Sequence, residues 1–351
     1  MNAATDAIDY PIADIPAPGQ VVEIKPGVLW IRMVMPFSLD HINLWAIDDG
    51  EGWAIIDSGL RVVDTTQTWQ ALLAPEGPLG GRPVTRVLAT HMHPDHIGMA
   101  GWLTRRFDCE LWITRLEYFC CRVMMADTGR DVPTEGIEFH RRAGWGETEL
   151  EHYRTRFGDF GRMIHPMPDS FVRLEEGQVL KIGRHEWEVV IGRGHSPEHA
   201  CFLCRELGLF ISGDQVLPKI SSNTSVYPTE PHADPVQDWL DSIERLERDI
   251  PPDVLVLPSH NEPFTGLPLR LEQLRASTHK RHRRIRDMIA QPMRCIDVVH
   301  ALFPASPNFN SATLGMATGE TLAFLNHLLQ CGEVVVEEKD GVNWYTALAA
   351  A

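Results

Sequence analysis

The sequence predicts a mixed α/β (α+β) fold in which a sheet-on-sheet core is covered by helices. Strand patterns follow one another near the N-terminus, helices and strands then alternate, and strand patterns return after a helical stretch. Hydrophobic residues make up 44% and charged residues 23% of the 351 positions, which is typical of a globular protein and excludes disordered and collagen-like chains. At roughly 150 residues per domain, the length indicates two domains, or one large domain with an appendage.

The first third of the chain contains short apolar segments joined by turns. Strands are expected over 21–36, 41–49 and 53–60, and the turn at Asp48–Gly52 indicates an antiparallel hairpin. Helices and strands alternate after this point: a helix over 64–73, a strand over 84–90, a helix over 98–107 and a strand over 110–114.

Residues from about 116 to 168 form a predicted helical insertion. Glycine and proline residues interrupt its pattern, and it carries Trp145, His140 and several arginines. These residue types leave three roles open for the insertion: a lid over a site, a dimer surface that would make the protein a homodimer, or simple packing.

The last part of the chain is predicted to contain more strands and then a different, mainly helical unit. Strand patterns return over 171–182, 185–196, 199–214 and 254–260, with a helix over 235–248. After Gly266 the sequence predicts a long charged helix over 269–289, apolar helices over 296–303 and 320–330, and a hairpin that turns at Asp340–Gly341. We therefore predict a first domain over residues 1–265, which contains the insertion, and a small C-terminal domain over 266–351.

The charge balance bears on possible partners. The chain has 32 Lys and Arg residues against 48 Asp and Glu residues, a net charge of −16, so phosphate backbones and anionic membranes repel it. No apolar stretch reaches the length of about eighteen residues that a membrane span needs, and residues 1–19 are acidic and proline-rich, unlike a signal peptide. The seven cysteines are an odd number and do not suggest a disulfide framework. We expect a cytoplasmic protein without a nucleic-acid or membrane partner.

A cluster of metal-binding residue types follows the strand predicted over 84–90. His91, His93, Asp95 and His96 lie within six residues and project from one tight loop. Imidazole and carboxylate ligands without thiolates suit zinc, iron or manganese in a catalytic site.

Three later strand ends each supply one more residue of these types. His195, Asp214 and His260 follow apolar strands and lie in turns of small residues. Five histidines and two aspartates are enough for two groups of three ligands and one bridging ligand, which is the requirement of a binuclear site.

These motifs resemble those of the metallo-β-lactamase-fold hydrolases. HMHPDH, GHS, SGD and PSH occur in that family's order and, with WAIIDSGL upstream, extend the resemblance over residues 20–265. The resemblance implies an αββα sandwich with the metal site at its edge, and in this sandwich Asp57 and Gly59 are expected to support the metal site. It also implies two metal ions with these ligands: His91, His93 and His195 for the first, Asp95, His96 and His260 for the second, and Asp214 as the bridge.

Two such metal ions explain hydrolysis without a protein nucleophile. The pair lowers the pKa of a shared water, so that a metal-bridging hydroxide attacks a polarised carbonyl, with Asp95 and Asp214 as the catalytic carboxylates. We expect zinc, with iron or manganese as alternatives. Histidine at position 93 differs from the glutamate of flavodiiron oxidoreductases and indicates hydrolysis.

Departures from the sequence patterns of known subfamilies narrow the class of substrate. True β-lactamases of this fold lack the aspartate that Asp214 supplies, and acyl-homoserine lactonases have a tyrosine where this chain has Leu217. The glycine-rich glutathione-binding stretch of glyoxalase II enzymes does not follow Asp214 either. We therefore predict a small-molecule acyl substrate: an ester, a thioester or a lactone. Near the site, Glu198 and His199 could orient ligands, and Lys219 could bind an anionic group.

The C-terminal region resembles the winged-helix appendage of one branch of these hydrolases, a branch that includes endoribonucleases. Its first helix is basic over residues 270–286, which could contact the phosphates of RNA or of coenzyme A, or could be a solvated face paired with acidic neighbours. Two alternative functions remain open: a metal-dependent endoribonuclease, and a non-catalytic binding protein that metal stabilises.

Overall fold

The computed structural model describes residues 7–37, 39–303 and 311–349. Its largest sheet has seven strands, and the order of the strands in the sheet is their order in the chain. The strands are β1 (Val21–Lys25), β2 (Val28–Val34), β3 (His41–Asp48), β4 (Trp53–Ile56), β5 (Val84–Leu88), β6 (Glu110–Thr114) and β7 (Val172–Leu174). The first four strands pair antiparallel, as the hairpin pattern predicts, and β4 to β7 pair parallel.

A second sheet of five strands packs against the first. In spatial order its strands are β12 (Leu255–Pro258), β11 (Leu209–Gly213), β10 (His199–Cys204), β9 (His185–Gly192) and β8 (Val179–Ile182). Trp30 and Trp45 of the first sheet meet Trp187 and Phe202 of the second in a shared core. Central strands such as β3 are covered on both faces, since six of its eight residues are buried.

Helices cover the outer faces of both sheets. On the first sheet they are α1 (Val63–Leu72), α2 (Pro94–Ile97), α3 (Ala100–Phe107) and α4 (Arg115–Ala126). On the second sheet α7 (Pro235–Asp249) packs Trp239 and Ile243 against the strands. Asp234 caps this helix by accepting the amide N–H of Gln237 at 3.0 Å. The resulting layers of helix, sheet, sheet and helix confirm the expected αββα sandwich.

Part of the remaining insertion packs against the C-terminal unit. The helices that do so are α5 (Thr134–Arg142) and α6 (Glu147–Arg156), whereas the short 3-10 helix that follows, Asp159–Met163, packs against α4 and the core of the first sheet through Phe160. Trp145 and Leu150 lie in one apolar core with Leu325 and Tyr345, and the Trp145 indole N–H donates to the Thr318 hydroxyl at 3.0 Å. Of the three roles left open for the insertion, these contacts support packing.

The C-terminal unit contains three helices and a small sheet. They are α8 (Leu267–Met288), β13 (Met293–Arg294), α9 (Cys295–Leu302), α10 (Ser311–Gln330), β14 (Val334–Lys339) and β15 (Val342–Ala347). The helix α10 begins before the predicted 320–330. The prediction was too short because the glycines at 315 and 319 weaken the helical pattern of the sequence. Gly319 is needed for packing, since a Cβ there would lie 3.0 Å from Ser225 Cβ. Among the described residues, no helix is long and apolar enough to cross a bilayer.

Candidate metal centre

All seven predicted ligand residues lie at one edge of the sandwich. His91, His93, Asp95 and His96 follow β5 of the first sheet, whereas His195, Asp214 and His260 follow β9, β11 and β12 of the second. The edge therefore collects side chains from both sheets. Three overlapping groups of three ligand atoms form there. We call two of them the first trio (His91, His93 and His195) and the second trio (Asp95, His96 and His260); the third group, His91, His96 and Asp214, connects them.

In the first trio, three imidazole nitrogens face one another. His91 Nε2 lies 2.9 Å from His93 Nδ1 and 3.2 Å from His195 Nε2. One shared proton can satisfy only one of these contacts, whereas a cation would accept a lone pair from all three nitrogens.

In the second trio, a carboxylate lies between two imidazoles. Asp95 Oδ2 is 3.6 Å from His96 Nε2 and 3.5 Å from His260 Nε2. Asp214 reaches both trios, because its Oδ2 lies 3.5 Å from His195 Nε2 and 3.5 Å from His96 Nε2, and its Oδ1 lies 3.5 Å from His260 Nε2. This is the placement that a bridging ligand requires.

Hydrogen bonds on the far side of three rings direct Nε2 into the centre. The Nδ1–H groups of His195 and His260 donate to the backbone carbonyls of Asn223 and His41, each at 2.8 Å. His96 Nδ1 donates to Asp57 Oδ2 at 2.7 Å. A neutral imidazole that donates through Nδ1 has its lone pair on Nε2, so these bonds fix the tautomer that binds metal.

Two buried atoms of the centre test whether a cation fits. His96 Nε2 and Asp214 Oδ1 are buried and have no hydrogen-bond partner among the described residues. Leaving such an atom unsatisfied costs about 1–3 kcal/mol, and a divalent cation with nitrogen and oxygen ligands would satisfy both. The residues present therefore fit divalent metal ions.

The two trios differ in protonation. Burial and the neighbouring His195 lower the pKa of His93 to about 3. Burial also lowers the pKa of His260, but Asp214 and Asp95 outweigh it and raise the value to about 10. For Asp95, burial raises the pKa, but His96 and His260 outweigh it and lower the value to about 2. In the second trio, His260 is thus a protonated imidazole next to a carboxylate, whereas His93 of the first trio is neutral.

Asp57 and Gly59 support the centre from the turn after β4. Asp57 accepts the Thr90 amide N–H at 2.8 Å as well as the His96 ring, and it has a positive φ of 60°. Gly59 also has a positive φ, 85°, and a Cβ there would lie 2.9 Å from the Thr65 side chain. These contacts agree with the supporting role that the resemblance implies for both residues.

Two residues near the ligands that the sequence singled out, His199 and Glu198, make different hydrogen bonds. His199 is buried, and its Nε2 accepts the Asp214 amide N–H at 3.0 Å, so it positions the bridging residue. Glu198 instead uses its carboxylate to accept the Leu116 amide N–H, at the start of α4, at 3.0 Å.

Sequence reasoning missed Glu117, which lies directly beneath the centre. It is fully buried in α4 and accepts the amide N–H groups of Met92 at 2.9 Å and Glu198 at 2.8 Å. Burial raises its pKa above the ordinary range, against the lowering effect of its hydrogen bonds. No motif marks this residue; the only signal is a charged residue on the apolar face of a predicted helix.

The basic residues mostly contact neighbouring acids or carbonyls. Lys219 Nζ pairs with Glu262 at 2.6 Å. Arg270 is buried and donates to the carbonyls of Leu217 and Ile220 at 2.6 and 2.7 Å. Three more arginines of α8 pair with glutamates: Arg275 with Glu247, Arg281 with Glu320 and Arg286 with Glu333. These pairs support the interpretation of the basic helix as a face neutralised by acidic neighbours.

Imidazole and carboxylate groups collected at one edge of an αββα sandwich define a metal-dependent hydrolase. The chain belongs to the metallo-beta-lactamase superfamily, whose family model matches residues 38–120 and 128–260. A second family model, for the C-terminal domain of metallo-beta-lactamase-like proteins, matches residues 283–348. The family that the motifs indicate is confirmed.

Similar proteins include solved structures and curated relatives. A beta-lactamase domain protein from Burkholderia ambifaria is 39% identical, with 99% of this chain and 100% of that chain covered and a TM-score of 0.87. A metallo-beta-lactamase family protein from Thermus thermophilus shares the fold at 22% identity, with 93% and 100% coverage and a TM-score of 0.73.

Two curated relatives are named as thioesterases. An acyl-coenzyme A thioesterase, MBLAC2, from Gallus gallus is 26% identical over 245 residues, which is 68% of this chain and 79% of the relative. An atrochrysone carboxyl ACP thioesterase from Cryptosporiopsis is 24% identical over 217 residues, 61% of this chain and 51% of the relative.

Proposed function

We propose that this hydrolase cleaves an acyl thioester, with small acyl esters and lactones as the related alternatives. The observation that carries the proposal is Asp214, whose two carboxylate oxygens reach histidines of both trios within 3.5 Å. In our proposal His91, His93 and His195 hold one divalent ion, Asp95, His96 and His260 hold a second, and Asp214 bridges them. Zinc suits this nitrogen and oxygen set best, with iron or manganese as alternatives.

Bound metal ions supply two kinds of chemistry here: they make a water molecule acidic and they polarise a carbonyl oxygen. The residues of the chain orient these participants. Asp95 is the more exposed of the two carboxylates, with 21% of its side chain accessible against 10% for Asp214. We therefore assign to Asp95 the orientation of the attacking water.

An exposed apolar face next to the centre supports an acyl substrate. Leu116, Phe119 and Val123 recur at helical spacing on α4 and are 45%, 52% and 55% exposed. This face begins close to the ligands, because the Leu116 amide N–H donates to Glu198, three residues after His195. Apolar side chains can take up a hydrocarbon chain, whereas RNA requires accessible cations, and several arginines of α8 are already paired. The thioesterase names of two relatives support the thioester.

Three further expectations remain part of the proposal. The order of helix, strand, two helices and hairpin in the C-terminal unit supports a winged-helix-like domain. We also propose a cytoplasmic location and a homodimer; light scattering tests the latter directly.

Elemental analysis combined with a substrate panel tests the function. We expect two metal ions per chain and turnover of acyl-coenzyme A thioesters, with lactones and RNA as comparison substrates. Asp214→Ala should abolish turnover and lower the metal content, because it removes the ligand common to both trios. The control is Asp241→Ala, an exposed aspartate of α7, which should leave both unchanged.

Three results would contradict the proposal. Cleavage of RNA alone by the metal-loaded protein would establish the endoribonuclease instead. One metal ion or none, together with activity that is indifferent to Asp214→Ala, would show that the ligands are misassigned. If chelation lowers the melting temperature but no substrate is cleaved, the protein is a metal-stabilised binding protein.

A further inference from the structure

We propose that Glu117 is a positioning residue that sets the metal affinity of the first trio. The inference rests on the proposed binding of metal by His91, His93 and His195. Glu117 is not a ligand in that assignment, and it lies in α4, outside every motif that supplies one.

The carboxylate of Glu117 joins two segments that belong to different sheets. Its Oε2 accepts the amide N–H of Met92, the residue between His91 and His93, at 2.9 Å. Its Oε1 accepts the amide N–H of Glu198, at the start of β10, at 2.8 Å. Together with the backbone hydrogen bond from the Ala200 N–H to the Thr90 carbonyl at 2.7 Å, this side chain links the loop that carries two ligands to the loop that carries the third.

This bridge matters because the first trio is assembled across the gap between the sheets. His91 and His93 follow β5, and His195 precedes β10, so strand pairing within either sheet does not hold the three nitrogens together. Other contacts fix single rings: Asn223 holds His195 through its carbonyl. Glu117 acts on the relative position of the two loops.

The charge of Glu117 also fits this role. The residue is fully buried, and the ion pairs of the described chain do not include it. Two amide dipoles and the nearby His195 face its carboxylate. A cation at the first trio would add a favourable interaction with this negative charge, and the second trio already has its own carboxylate in Asp95.

Glu117→Gln tests the bridge most directly because it keeps the size of the side chain. The amide oxygen of glutamine can accept one N–H, but its NH₂ group would face the second N–H, so one of the two loops is released. Glu117→Asp keeps the charge and both acceptors but is one methylene shorter and cannot span both amides. Glu176→Gln is the matched control, since Glu176 accepts the Ile191 amide N–H at 2.8 Å away from the ligands.

Metal-free protein is titrated with zinc in competition with a chromophoric chelator, and cobalt spectra report which ligands are engaged. For Glu117→Gln we expect one binding step to weaken by about 10–100-fold, the range found for groups that orient metal ligands, and the other step to keep its affinity. The cobalt spectrum should lose the band of the all-imidazole site. Glu117→Asp should weaken the same step, and Glu176→Gln neither step.

Several outcomes would overturn the inference. Two unchanged steps in Glu117→Gln would show that the bridge does not set affinity. Equal weakening of both steps, in parallel with a lower melting temperature of the metal-free protein, would show a general structural role. If Glu117→Gln fails to fold, wild-type affinity in Glu117→Asp still overturns it.

The titration also separates this inference from the proposed function. It uses no substrate, so a wild-type protein that binds two metal ions but hydrolyses no acyl thioester would overturn the function and leave the role of Glu117 standing. A wild-type protein that binds no metal would overturn both.

Discussion

The first trio contains only imidazoles, whereas the second combines two imidazoles with the carboxylate of Asp95. Burial dominates in the first, and the pKa of His93 falls to about 3. In the second, the carboxylates outweigh burial and raise the pKa of His260 to about 10. At one sandwich edge, the pKa values of His93 and His260 are therefore shifted in opposite directions. The comparison teaches that the neighbours of a buried histidine, more than its burial, decide whether a proton competes with metal.

The trios also differ in how they are held. Carbonyls of Asn223 and His41 orient one ring in each trio, but the side chain of Asp57 orients His96 in the second trio only. The first trio depends on the bridge formed by Glu117. Each trio thus has a carboxylate that contacts it most directly, and Asp57 reaches His91 of the first trio only through the Thr90 hydroxyl, which lies 3.0 Å from His91 Nδ1.

Removal of one ligand from each trio should have the largest effect. We expect His195→Gln and His260→Gln each to lose one metal equivalent and to lower turnover by more than about a hundredfold, beyond the cost of a merely supporting residue. Elemental analysis and thioester hydrolysis check both. If either variant loses both metal ions together, the trios do not bind independently and the comparison fails.

Substitution of a supporting residue should have a smaller effect. Asp57→Asn removes the charge that faces His96 Nδ1, and we expect the second metal step to weaken by about 10–100-fold. Asn223→Ala is the control, because His195 uses the backbone carbonyl of Asn223, which alanine retains. We expect this variant to behave as the wild type in a chelator competition. Equal losses of metal affinity in the two variants would refute the distinction between side-chain and backbone support.

The dependence of metal affinity on pH should sharpen the comparison further. His260 is protonated below about pH 10 and must release its proton to bind metal, so the affinity of the second trio should rise with pH, by roughly tenfold per unit for each proton displaced. His93 is neutral above about pH 3, so it releases no proton near neutrality. Calorimetric titration in buffers of different ionisation enthalpy measures this release. Equal proton release in both binding steps would contradict the assignment.

Much of the candidate centre was predictable because its residues follow strands. The spacing of His91, His93, Asp95 and His96 after one strand indicated a shared loop, and the turns with His195, Asp214 and His260 indicated the others. The structure brings all seven side chains to one edge. The helix α7 was also predictable, from its apolar periodicity and from the Asp234–Pro235 start.

Other features could not be predicted because they depend on contacts between distant segments. The helix α10 extends through Gly315 and Gly319 despite their poor helix propensity, and only Gly319 is closely approached by Ser225. The insertion packs on the C-terminal unit through Trp145, a residue equally compatible with a lid.

The sequence by itself determined the ligand types, their order and the class of chemistry, because imidazole and carboxylate groups in tight turns have few other uses. Only the tertiary structure decided how the two trios differ. The pKa values of His93 and His260 depend on which charges surround them once the sheets meet. The role of Glu117 depends on two amide N–H groups, of Met92 and Glu198, that are far from it in the chain and adjacent only in the fold.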